Sequence, residues 1–354
     1  MASRSRGGTS QVPDIAGFFA LRRSVAGRLT QVIRRAKQAA NNRQTARVRG
    51  MDEMAKGRTS RGNKGVASNT IAFQGEAGAN SDMACRSAFP YMTTLPCPTF
   101  ETAMAAVQAG KAELAMIPVE NSIAGRVADL HSLLPHTKLK IVAEHFQRVE
   151  HCLVALPGAT LKSIKTVKSH VQALAQCRNF LKRHRFAPLV HGDTAGAARE
   201  IAEVGDTSVG AIASSLAARI YDLKVLARNI EDADHNTTRM LLFSRDEAQP
   251  DWRTVQCMTA FLFRVKSVPA ALYKALGGFA TNGVNIVKLE SYLSGAHFEQ
   301  AQFYAEVEGH PAQRGLKLAL EELGFFSEEF KPLGSFPVHP FRRKGWEAPT
   351  RPGT

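Results

Sequence analysis

The sequence predicts an α/β protein that ends in a separate ferredoxin-like βαββαβ unit. The first observation is that short apolar strands alternate with glycine-rich turns and helices between residues 69 and 246. The second is a polar, proline-containing segment at residues 246–253, which has the composition of a linker. The third is the order of strands and helices predicted after it. A length of 354 residues agrees with two or three domains.

The α/β pattern begins abruptly at Asn69. Residues 70–73 predict a strand, residues 75–81 a glycine-rich turn and residues 82–88 a helix. The pattern then repeats, with strands predicted at 113–117, 152–156, 208–213 and 223–227 and helices at 99–109, 171–184 and 214–221. This alternation favours mostly parallel sheets.

The C-terminal unit has a different order of elements. The predicted elements are strand 256–266, helix 269–281, strand 284–293, strand 299–308, helix 311–323 and strand 329–335. Pro269 falls at the start of a helix, where its missing N–H is harmless. Gly277 and Gly278 each disfavour the helix by about 1 kcal/mol relative to Ala, so we expect that they allow close packing against another backbone. We expect the tail, residues 341–354, to be loose.

The net charge of +15 is concentrated in an N-terminal leader, residues 1–68. This segment carries 15 Lys or Arg against 3 Asp or Glu, whereas residues 69–354 carry 31 against 28. Because the folded body is nearly neutral, a nucleic-acid-binding function would have to reside in the leader, and none is expected of the body. The leader is expected to be disordered. Residues 16–40 also have the spacing of a basic amphipathic helix, which is compatible with an organellar transit peptide.

Composition also argues against several classes of protein. The five cysteines are dispersed without a C-x-x-C pair, which predicts free thiols in a reducing compartment and a cytoplasmic protein. No apolar run approaches the roughly 18 residues that span a bilayer, so no membrane partner is expected. No P-loop, G-x-G-x-x-G or helical His-x-x-x-His spacing occurs, so neither a metal nor a cofactor is predicted.

Polar segments occur where the predicted strands end or begin, and open α/β folds place their ligands at such edges. The segments are Gly75–Gly78, Ile117–Val127, Lys168–Cys177 and Glu231–Phe243. Each has a structural alternative, such as a tight turn or a capping loop. In the third, Ser169 could cap a helix with Gln172 as its capping-box partner. In the fourth, a hydroxyl beside Arg239 can hydrogen-bond a carboxylate while it donates a proton elsewhere.

The order of these segments resembles the prephenate dehydratase family. The matching pieces are Phe73-Gln-Gly-Glu-Ala-Gly-Ala-Asn, Ile117-Pro-Val-Glu-Asn-Ser-Ile-Ala-Gly, Ser169-His-Val-Gln-Ala-Leu-Ala-Gln-Cys, Asp193-Thr-Ala-Gly-Ala-Ala and Asn236-Thr-Thr-Arg. Residues 69–246 resemble the catalytic domain, and residues 254–340 resemble the ACT regulatory domain of that family. The resemblance implies two lobes like those of a periplasmic binding protein, with the site in the cleft between them. Lobe one would hold residues 69–147 and 230–246, and lobe two residues 148–229.

The resemblance also implies a reaction, the decarboxylating dehydration of prephenate to phenylpyruvate in L-phenylalanine biosynthesis, catalysed by a carbon–oxygen lyase without a cofactor. Thr238 is expected to assist departure of the ring hydroxyl. Arg239 is expected to orient the site or to meet a carboxylate. The further catalytic residues expected are Asn121, Ser122 and Gln176. The substrate-binding residues expected are Gly75, Gly78, Ala79, Glu120, Ser169, His170 and Thr237.

The ACT resemblance implies feedback inhibition by L-phenylalanine and a homodimer or homotetramer. The effector-binding residues expected are Ala271, Leu272, Asn285, Glu290 and Ser291. The sequence departs from the family pattern at Met240, where the family has Phe, and at Tyr292-Leu293, where the family has Arg-Pro. Two alternatives are an arogenate dehydratase and a catalytically silent amino-acid-binding regulator. The joint presence of Thr238, Asn121 and Gln176 argues against silence.

Overall fold

A computed structural model describes residues 69–127, 129–294 and 300–344. The predictions for the leader and for residues 345–354 of the tail lie outside the described residues. Within the part that is described, no helix has the length and apolar character needed to cross a membrane.

The helices and strands follow one another in three stretches of chain. The elements of the first stretch are β1 (Thr70–Gln74), α1 (Asn80–Ala88), β2 (Thr93–Cys97), α2 (Phe100–Gln108), β3 (Leu114–Asn121), β4 (Gly125–Arg126), α3 (Asp129–Leu133) and β5 (Lys140–Arg148). Those of the second are β6 (Cys152–Ala155), β7 (Thr166–Ser169), α4 (Val171–Gln176), α5 (Arg178–His184), β8 (Ala187–Val190), α6 (Thr194–Val204), β9 (Val209–Ala213), α7 (Ser215–Ile220), β10 (Lys224–Ala227) and β11 (Thr237–Ser244). Those of the third are β12 (Cys257–Val265), α8 (Ala271–Thr281), β13 (Ile286–Ser294), β14 (Gln300–Glu308), α9 (Arg314–Phe326), β15 (Ser327–Pro337) and α10 (Phe341–Lys344).

Two sheets form the two-lobed α/β unit that the sequence predicts, and this prediction is confirmed. The first sheet has the order β2-β1-β3-β11-β5, with β4 paired to β3, and the second has the order β10-β6-β9-β7-β8. The chain passes from the first sheet to the second after β5 and returns with β11. The prediction of mostly parallel sheets is wrong, because β11 returns antiparallel to both β3 and β5, and β6 runs antiparallel to β9 and β10.

Strand β3 extends beyond Pro118, where the sequence predicted its end. The pairing of β3 with β11 shifts at this point, so that Met240 lies opposite Pro118 and Arg239 lies opposite Glu120. A bulge of this kind tolerates a proline because one residue is released from the hydrogen-bond ladder. The strand therefore continues to Asn121 and carries its side chain to the edge of the sheet.

The predicted helix 171–184 is two helices, α4 and α5, which meet at Cys177. The backbone of Cys177 leaves helical geometry at φ −116° and ψ 23°. The carbonyl of Gln176 accepts a hydrogen bond from the backbone N–H of Asp232, at 2.7 Å. The carboxylate of Asp232 accepts one from the N–H of Asn179 at 3.1 Å. A partner 53 residues or more away along the chain thus replaces local helical bonds, which local sequence periodicity does not reveal.

The third sheet has the order β13-β14-β12-β15, and the predicted βαββαβ order of its elements is confirmed. Helices α8 and α9 pack on one face of this sheet, around Phe261 and Phe279. The other face packs on lobe one, where Tyr304 and Phe336 share one apolar core with Ile141 of β5. Because the two cores are continuous, the C-terminal domain is held against the strands that lead to the cavity described below.

Two predictions for the C-terminal part are corrected. A side chain at Gly278 would lie 2.7 Å from the carboxylate of Glu322 on α9, so Gly278 makes room for a side chain and not for another backbone, and nothing lies within 4 Å at Gly277. The first residues of the tail are not loose, because Phe341 of α10 stacks on Phe146 with ring centroids 4.4 Å apart.

Candidate active site

A cavity of about 720 Å³ opens between the two lobes, at the edge where β1, β3 and β7 end and β11 begins. This is the edge at which the sequence predicted a ligand site. The walls are mainly polar, and they come from both lobes. The polar lining residues are Gln74, Asn80, Ser81, Thr99, Glu101, Asn121, Arg126, His151, His170, Gln172, Gln176, Asp193, Thr194 and Thr238.

Several helices point their N-terminal ends at this cavity. The N-terminus of α2 is capped by the Thr99 side chain, and that of α6 is capped by Asp193, which accepts a hydrogen bond from the N–H of Gly196 at 2.7 Å. Helix α1 differs, because its N-cap residue, Ala79, offers no capping side chain. The first N–H groups of α1 therefore face the cavity with their partial positive charge available to an anion.

Asn121 fixes the hydroxyl of Thr238. The Asn121 side-chain oxygen accepts hydrogen bonds from the N–H groups of Ile123 and Ala124, at 3.0 and 2.8 Å. Its Nδ2 must therefore point the other way, where it donates to Thr238 Oγ1 at 2.9 Å and to Asn236 Oδ1 at 2.8 Å. Within the described part of the chain, the Thr238 hydroxyl has no acceptor for its own hydrogen, so that hydrogen can be donated into the cavity.

The same network continues into lobe two through Gln176. Asn236 Nδ2 donates to Gln176 Oε1 at 2.9 Å, and His151 Nε2 lies 2.9 Å from the same oxygen. Burial lowers the pKa of His151, although the hydrogen bond to Gln176 and the charge of Glu231 oppose this shift. The imidazole is therefore neutral at pH 7. Three amides and one neutral imidazole thus join the two lobes beneath the cavity, without a formal charge.

The structure brings five of the predicted site residues to the cavity. They are Ala79, Asn121, His170, Gln176 and Thr238. These positions agree with substrate binding and catalysis, and the individual roles remain predictions.

Two predicted site residues have structural roles beside the cavity. Ser122 Oγ donates to the carbonyl of His235 and accepts from the N–H of Thr237, at 2.8 and 2.9 Å. Its two hydrogen bonds tie the end of β3 to the start of β11. Thr237 is buried and does not line the cavity. The prediction that these two side chains meet the substrate is therefore corrected.

Ser169 is neither a helix cap nor a cavity residue. It is fully buried, and its hydroxyl donates to the carbonyl of Ile212 at 2.7 Å, which ties β7 to β9. The cap of α4 is instead His170, whose Nδ1 accepts from the N–H of Gln172 at 3.3 Å. The sequence placed the cap one residue too early because Ser is the commoner N-cap residue.

The glycines of the first turn shape the chain, and neither lines the cavity. Gly75 has φ +116° and Gly78 has φ +89°, a region that residues with a side chain rarely adopt. A Cβ at Gly78 would lie 2.7 Å from the Cα of Ala217, so α7 packs directly against this turn. The Gly78 N–H is already bonded to the Asp82 carboxylate at 2.8 Å. The N–H groups of this turn that are placed to meet an anion are therefore those that follow Ala79.

Arg239 and Glu120 face the C-terminal domain and not the cavity. The Arg239 guanidinium donates to both oxygens of Glu306, at 2.8 and 2.7 Å, and to Glu144 at 2.8 Å. Burial alone would lower the pKa of Arg239, but the carboxylate of Glu306 outweighs it and raises that pKa. Glu120 accepts from the Lys288 ammonium at 2.9 Å. The predicted contact of Glu120 with substrate is therefore corrected. The carboxylates that Arg239 meets belong to the protein, so of its two predicted roles only orientation of the site stays a prediction.

The predicted effector residues do not share one environment. Ala271 is buried at the start of α8, Leu272 packs on the adjoining core, and the carbonyl of Asn285 accepts from the N–H of Glu308. Ser291 is exposed. Glu290 points the other way, towards lobe one, where its carboxylate lies 2.7 Å from His131 Nε2. Glu290 is thus an interdomain contact.

Several residues that line the cavity were missed by the sequence prediction of the site, among them Asn80, Arg126 and His151. Asn236, which joins the hydrogen-bond network without lining the cavity, was missed as well. Of the described residues that line the cavity, Arg126 alone carries a fixed positive charge. Asn80 has a buried side-chain oxygen without a hydrogen-bond partner. Asn80 ends the first of the pieces that resemble the family, and Arg126 and Asn236 lie in two of the polar segments singled out above, so a search for amides and cations there would have found them. His151 carries no local signal.

Comparison with known proteins now bears on this site. The family model described as prephenate dehydratase matches residues 71–248. The chain belongs to the prephenate dehydratase family. This membership confirms the resemblance of residues 69–246 to the catalytic domain of the family and indicates dehydratase, that is lyase, activity in aromatic amino acid biosynthesis.

Two proteins that are similar to this chain carry different activities in their names. A "Bifunctional N-acyl-homoserine lactone acylase/prephenate dehydratase" of Komagataeibacter europaeus is 53% identical over 274 residues, which are 77% of this chain and 98% of the relative. An "Arogenate dehydratase/prephenate dehydratase 2, chloroplastic" of Arabidopsis thaliana is 35% identical over 277 residues, covering 76% of this chain and 72% of the relative.

Solved structures agree with the fold. One, described as "a novel type of quorum quenching acylases", is 52% identical, covers 77% of this chain and 100% of its own, and has a TM-score of 0.73. A prephenate dehydratase from Arthrobacter aurescens, in complex with L-Phe, is 31% identical, covers 76% of this chain and 90% of its own, and has a TM-score of 0.70.

Proposed function

We propose that this protein is a prephenate dehydratase that converts prephenate to phenylpyruvate, carbon dioxide and water. In this reaction the bond between the ring and its carboxylate breaks, and the released electron pair aromatises the ring. The C–O bond of the ring hydroxyl breaks, and the departing hydroxide takes up one proton to become water. The protein must therefore hold the carboxylates of the substrate and stabilise negative charge on the departing oxygen.

The Thr238 hydroxyl is the observation that carries this proposal. Because Asn121 Nδ2 donates to Thr238 Oγ1, the threonine hydrogen is left to point into the cavity. A hydroxyl that already accepts a hydrogen bond is a better donor, because such chains polarise one another. Thr238 would donate to the ring hydroxyl as it departs. The site needs no resident metal or redox group for this step.

The carboxylates of prephenate would bind where the cavity offers positive charge. The uncapped N-terminus of α1, at Asn80 and Ser81, suits one carboxylate. The guanidinium of Arg126, on β4, suits the other.

The test is steady-state turnover of prephenate by the full chain and by Thr238→Val, which keeps the shape and removes the hydroxyl. We expect phenylpyruvate formation by the wild type and a kcat lower by roughly 10²- to 10⁴-fold in the variant. The matched control is the same substitution at Thr93, an exposed residue of β2, which should leave kcat unchanged. Wild-type turnover by Thr238→Val would overturn the role of this hydroxyl.

Arogenate is the nearest alternative substrate, and the plant relative named for both activities favours testing it. Arogenate carries an ammonium group where prephenate has a keto oxygen. The cavity also contains two carboxylates, Glu101 and Asp193, that could meet such an ammonium. The comparison of kcat/KM for the two substrates decides, and we expect prephenate to be preferred.

Acylase activity is a second candidate, favoured by the 53% identical relative that carries it in its name. Hydrolysis of an amide by Thr238 would require a base that accepts the threonine proton. His151 is turned to Gln176, and the group that contacts the Thr238 hydroxyl is the Asn121 amide, which donates to it. The other basic groups of the cavity, Glu101, His170 and Asp193, have no hydrogen bond to Thr238 within the described residues. We therefore expect no release of homoserine lactone from an N-acyl-homoserine lactone. If the wild type releases homoserine lactone and Thr238→Val does not, this second activity is established.

We further propose that residues 254–340 are an ACT domain through which L-phenylalanine inhibits a homodimer or homotetramer. The Arthrobacter aurescens structure, which holds L-Phe, supports this effector. Turnover measured at a series of L-phenylalanine concentrations tests the inhibition. The measured mass of the protein in solution tests the oligomeric state. The described cysteines are all unpaired and buried, which supports a reducing compartment such as the cytoplasm.

A further inference from the structure

We propose that Asn236 and His151 are positioning residues that fix the Thr238 hydroxyl as a hydrogen-bond donor. This inference rests on the proposed dehydratase function and deepens it. The two residues act through Asn121 and Gln176, and neither is assigned to contact the reacting atoms.

Amide side chains present an oxygen and an NH₂ group that can exchange places by a half-turn, so a chain of amides needs fixed ends to have one direction. One end is fixed at Asn121, whose oxygen is held by the N–H groups of Ile123 and Ala124. The two hydrogens of its Nδ2 then point to Thr238 and Asn236. Asn236 must therefore accept the hydrogen bond from Asn121 through its Oδ1.

The other end is fixed at Gln176. Since the oxygen of Asn236 faces Asn121, its Nδ2 faces Gln176, which must accept through Oε1. The same oxygen lies 2.9 Å from His151 Nε2. Burial lowers the pKa of His151, so the imidazole carries a single proton on nitrogen at neutral pH, and the Gln176 oxygen requires that proton at Nε2. The NH₂ group of Gln176 is then directed away from both partners.

Asn236 connects the two ends and is buried, with 1% of its surface exposed. A buried amide group without a hydrogen-bond partner costs free energy, so each side chain of this network enforces the orientation of the next. If Asn121 turned over, its oxygen would face Thr238, and the threonine would donate to the protein instead of to the substrate. Asn236 and His151 therefore reinforce, from the side of lobe two, the direction that the N–H groups of Ile123 and Ala124 give to the Asn121 amide and so to the Thr238 hydrogen bond.

The histidine is tested by two substitutions of similar size. His151→Gln keeps an N–H donor near the position of Nε2, whereas His151→Leu removes it. We expect kcat on prephenate to stay within about threefold of the wild type in the first variant, and to fall by roughly 10- to 100-fold in the second, with KM little changed in both. Wild-type kcat in His151→Leu would overturn the proposal.

The asparagine is tested by its coupling to Thr238. Asn236→Ala should lower kcat by roughly 10- to 100-fold in the wild-type background. In the Thr238→Val background it should cost less than about threefold, because the group it positions is gone. Equal losses in both backgrounds would show a general structural role and overturn the proposal. His235→Gln, a change in the adjacent exposed side chain, is the matched control.

Failure of this inference is distinguishable from failure of the proposed function. A wild-type enzyme that converts prephenate, with His151→Leu and Asn236→Ala equally fast, removes the positioning role and leaves the dehydratase standing. A wild-type enzyme that does not convert prephenate removes the proposed function, and with it the inference. Should Asn236→Ala fail to fold, the two His151 variants still decide, with thermal melting used to verify that both are folded.

Discussion

The two faces of strand β11 differ sharply in how they are built. The face that contains Thr238 and Met240 looks into the cavity and meets amides and a neutral imidazole. The face that contains Arg239 looks to the C-terminal domain and meets the fully buried carboxylates of Glu144 and Glu306. Neighbouring residues in the sequence thus belong to two different sites, because side chains alternate along a strand.

This difference has a physical basis. A catalytic hydrogen-bond donor needs a hydrogen that no protein carboxylate already accepts. The uncharged network on the cavity face therefore leaves the Thr238 hydroxyl free to donate to the substrate. On the other face, a buried cation with two buried carboxylates fixes how the domains meet, because any partner left alone would be a buried charge. Each face is therefore sensitive to a different kind of damage.

The largest effect on stability should come from Arg239→Leu. This change leaves Glu306 and Glu144 buried with Arg342 as their one remaining cationic partner among the described residues, at 3.5 Å from Glu306 and 2.7 Å from Glu144. We expect a loss of about 3–5 kcal/mol in the free energy of unfolding, measured by urea denaturation. Arg264→Leu is the control, because Arg264 also pairs with two glutamates, yet these are substantially exposed, and its removal should cost no more than about 1 kcal/mol.

A double substitution sharpens the comparison further. Arg239→Leu combined with Glu306→Leu removes the buried charge together with its main partner, so we expect the double variant to be more stable than Arg239→Leu alone by about 1–3 kcal/mol. Thr238→Val on the cavity face should change the unfolding free energy by only about 1 kcal/mol. A double variant less stable than the single one would show that packing, and not charge, sets the cost.

Acid should destabilise both faces, but through different histidines. Burial lowers the pKa of His151 on the cavity side, and burial lowers the pKa values of His145 and His339 on the domain side. The unfolded chain takes up protons at these residues as the pH falls through about 6.5, whereas the folded chain takes them up only at lower pH. The unfolded state therefore binds more protons, and stability falls as the pH falls below about 6.5.

The domain side should contribute more to this acid sensitivity, because burial lowers the pKa values of the half-buried His145 and His339 there, and also that of the buried His131. Urea denaturation at a series of pH values between 5 and 8 measures the slope of stability against pH. Each histidine contributes at most about 1.4 kcal/mol per pH unit. We expect His145→Gln with His339→Gln to flatten the slope more than His151→Gln does. An equal effect would mean that only one domain-side histidine is held neutral.

Much of the fold follows from the sequence because its strands and helices are marked locally. The βαββαβ order of the C-terminal domain was predicted element by element, since each strand is apolar and each helix is bounded by Pro, Gly or Asn. The break at Cys177 was not predicted, because Asp232 supplies the competing hydrogen bonds from far along the chain. The antiparallel pairing of β11 with β3 and β5 was not predicted either, because it depends on how the chain comes back to the first sheet from the second lobe.

The site could be predicted only in part for the same reason. Thr238 and Asn121 lie in segments whose residue types indicate chemistry, and both reach the cavity. Arg239 was assigned to the same site because it belongs to the Asn236-Thr-Thr-Arg motif that resembles the family. With the strand beginning at Thr237, alternation separates Thr238 from Arg239. Asn236 and His151 acquire their roles from partners in distant segments, which one sequence does not reveal.

The smallest effect should come from Glu120, which the sequence assigned to substrate binding. Its carboxylate pairs with Lys288 of the C-terminal domain and is 46% exposed. Because solvent screens an ion pair at this exposure, Glu120→Gln should change the unfolding free energy by less than about 1 kcal/mol. KM for prephenate should remain unchanged, since the side chain does not line the cavity. A several-fold rise in KM would contradict this expectation and would show that Glu120 contributes to substrate binding, as the sequence predicted.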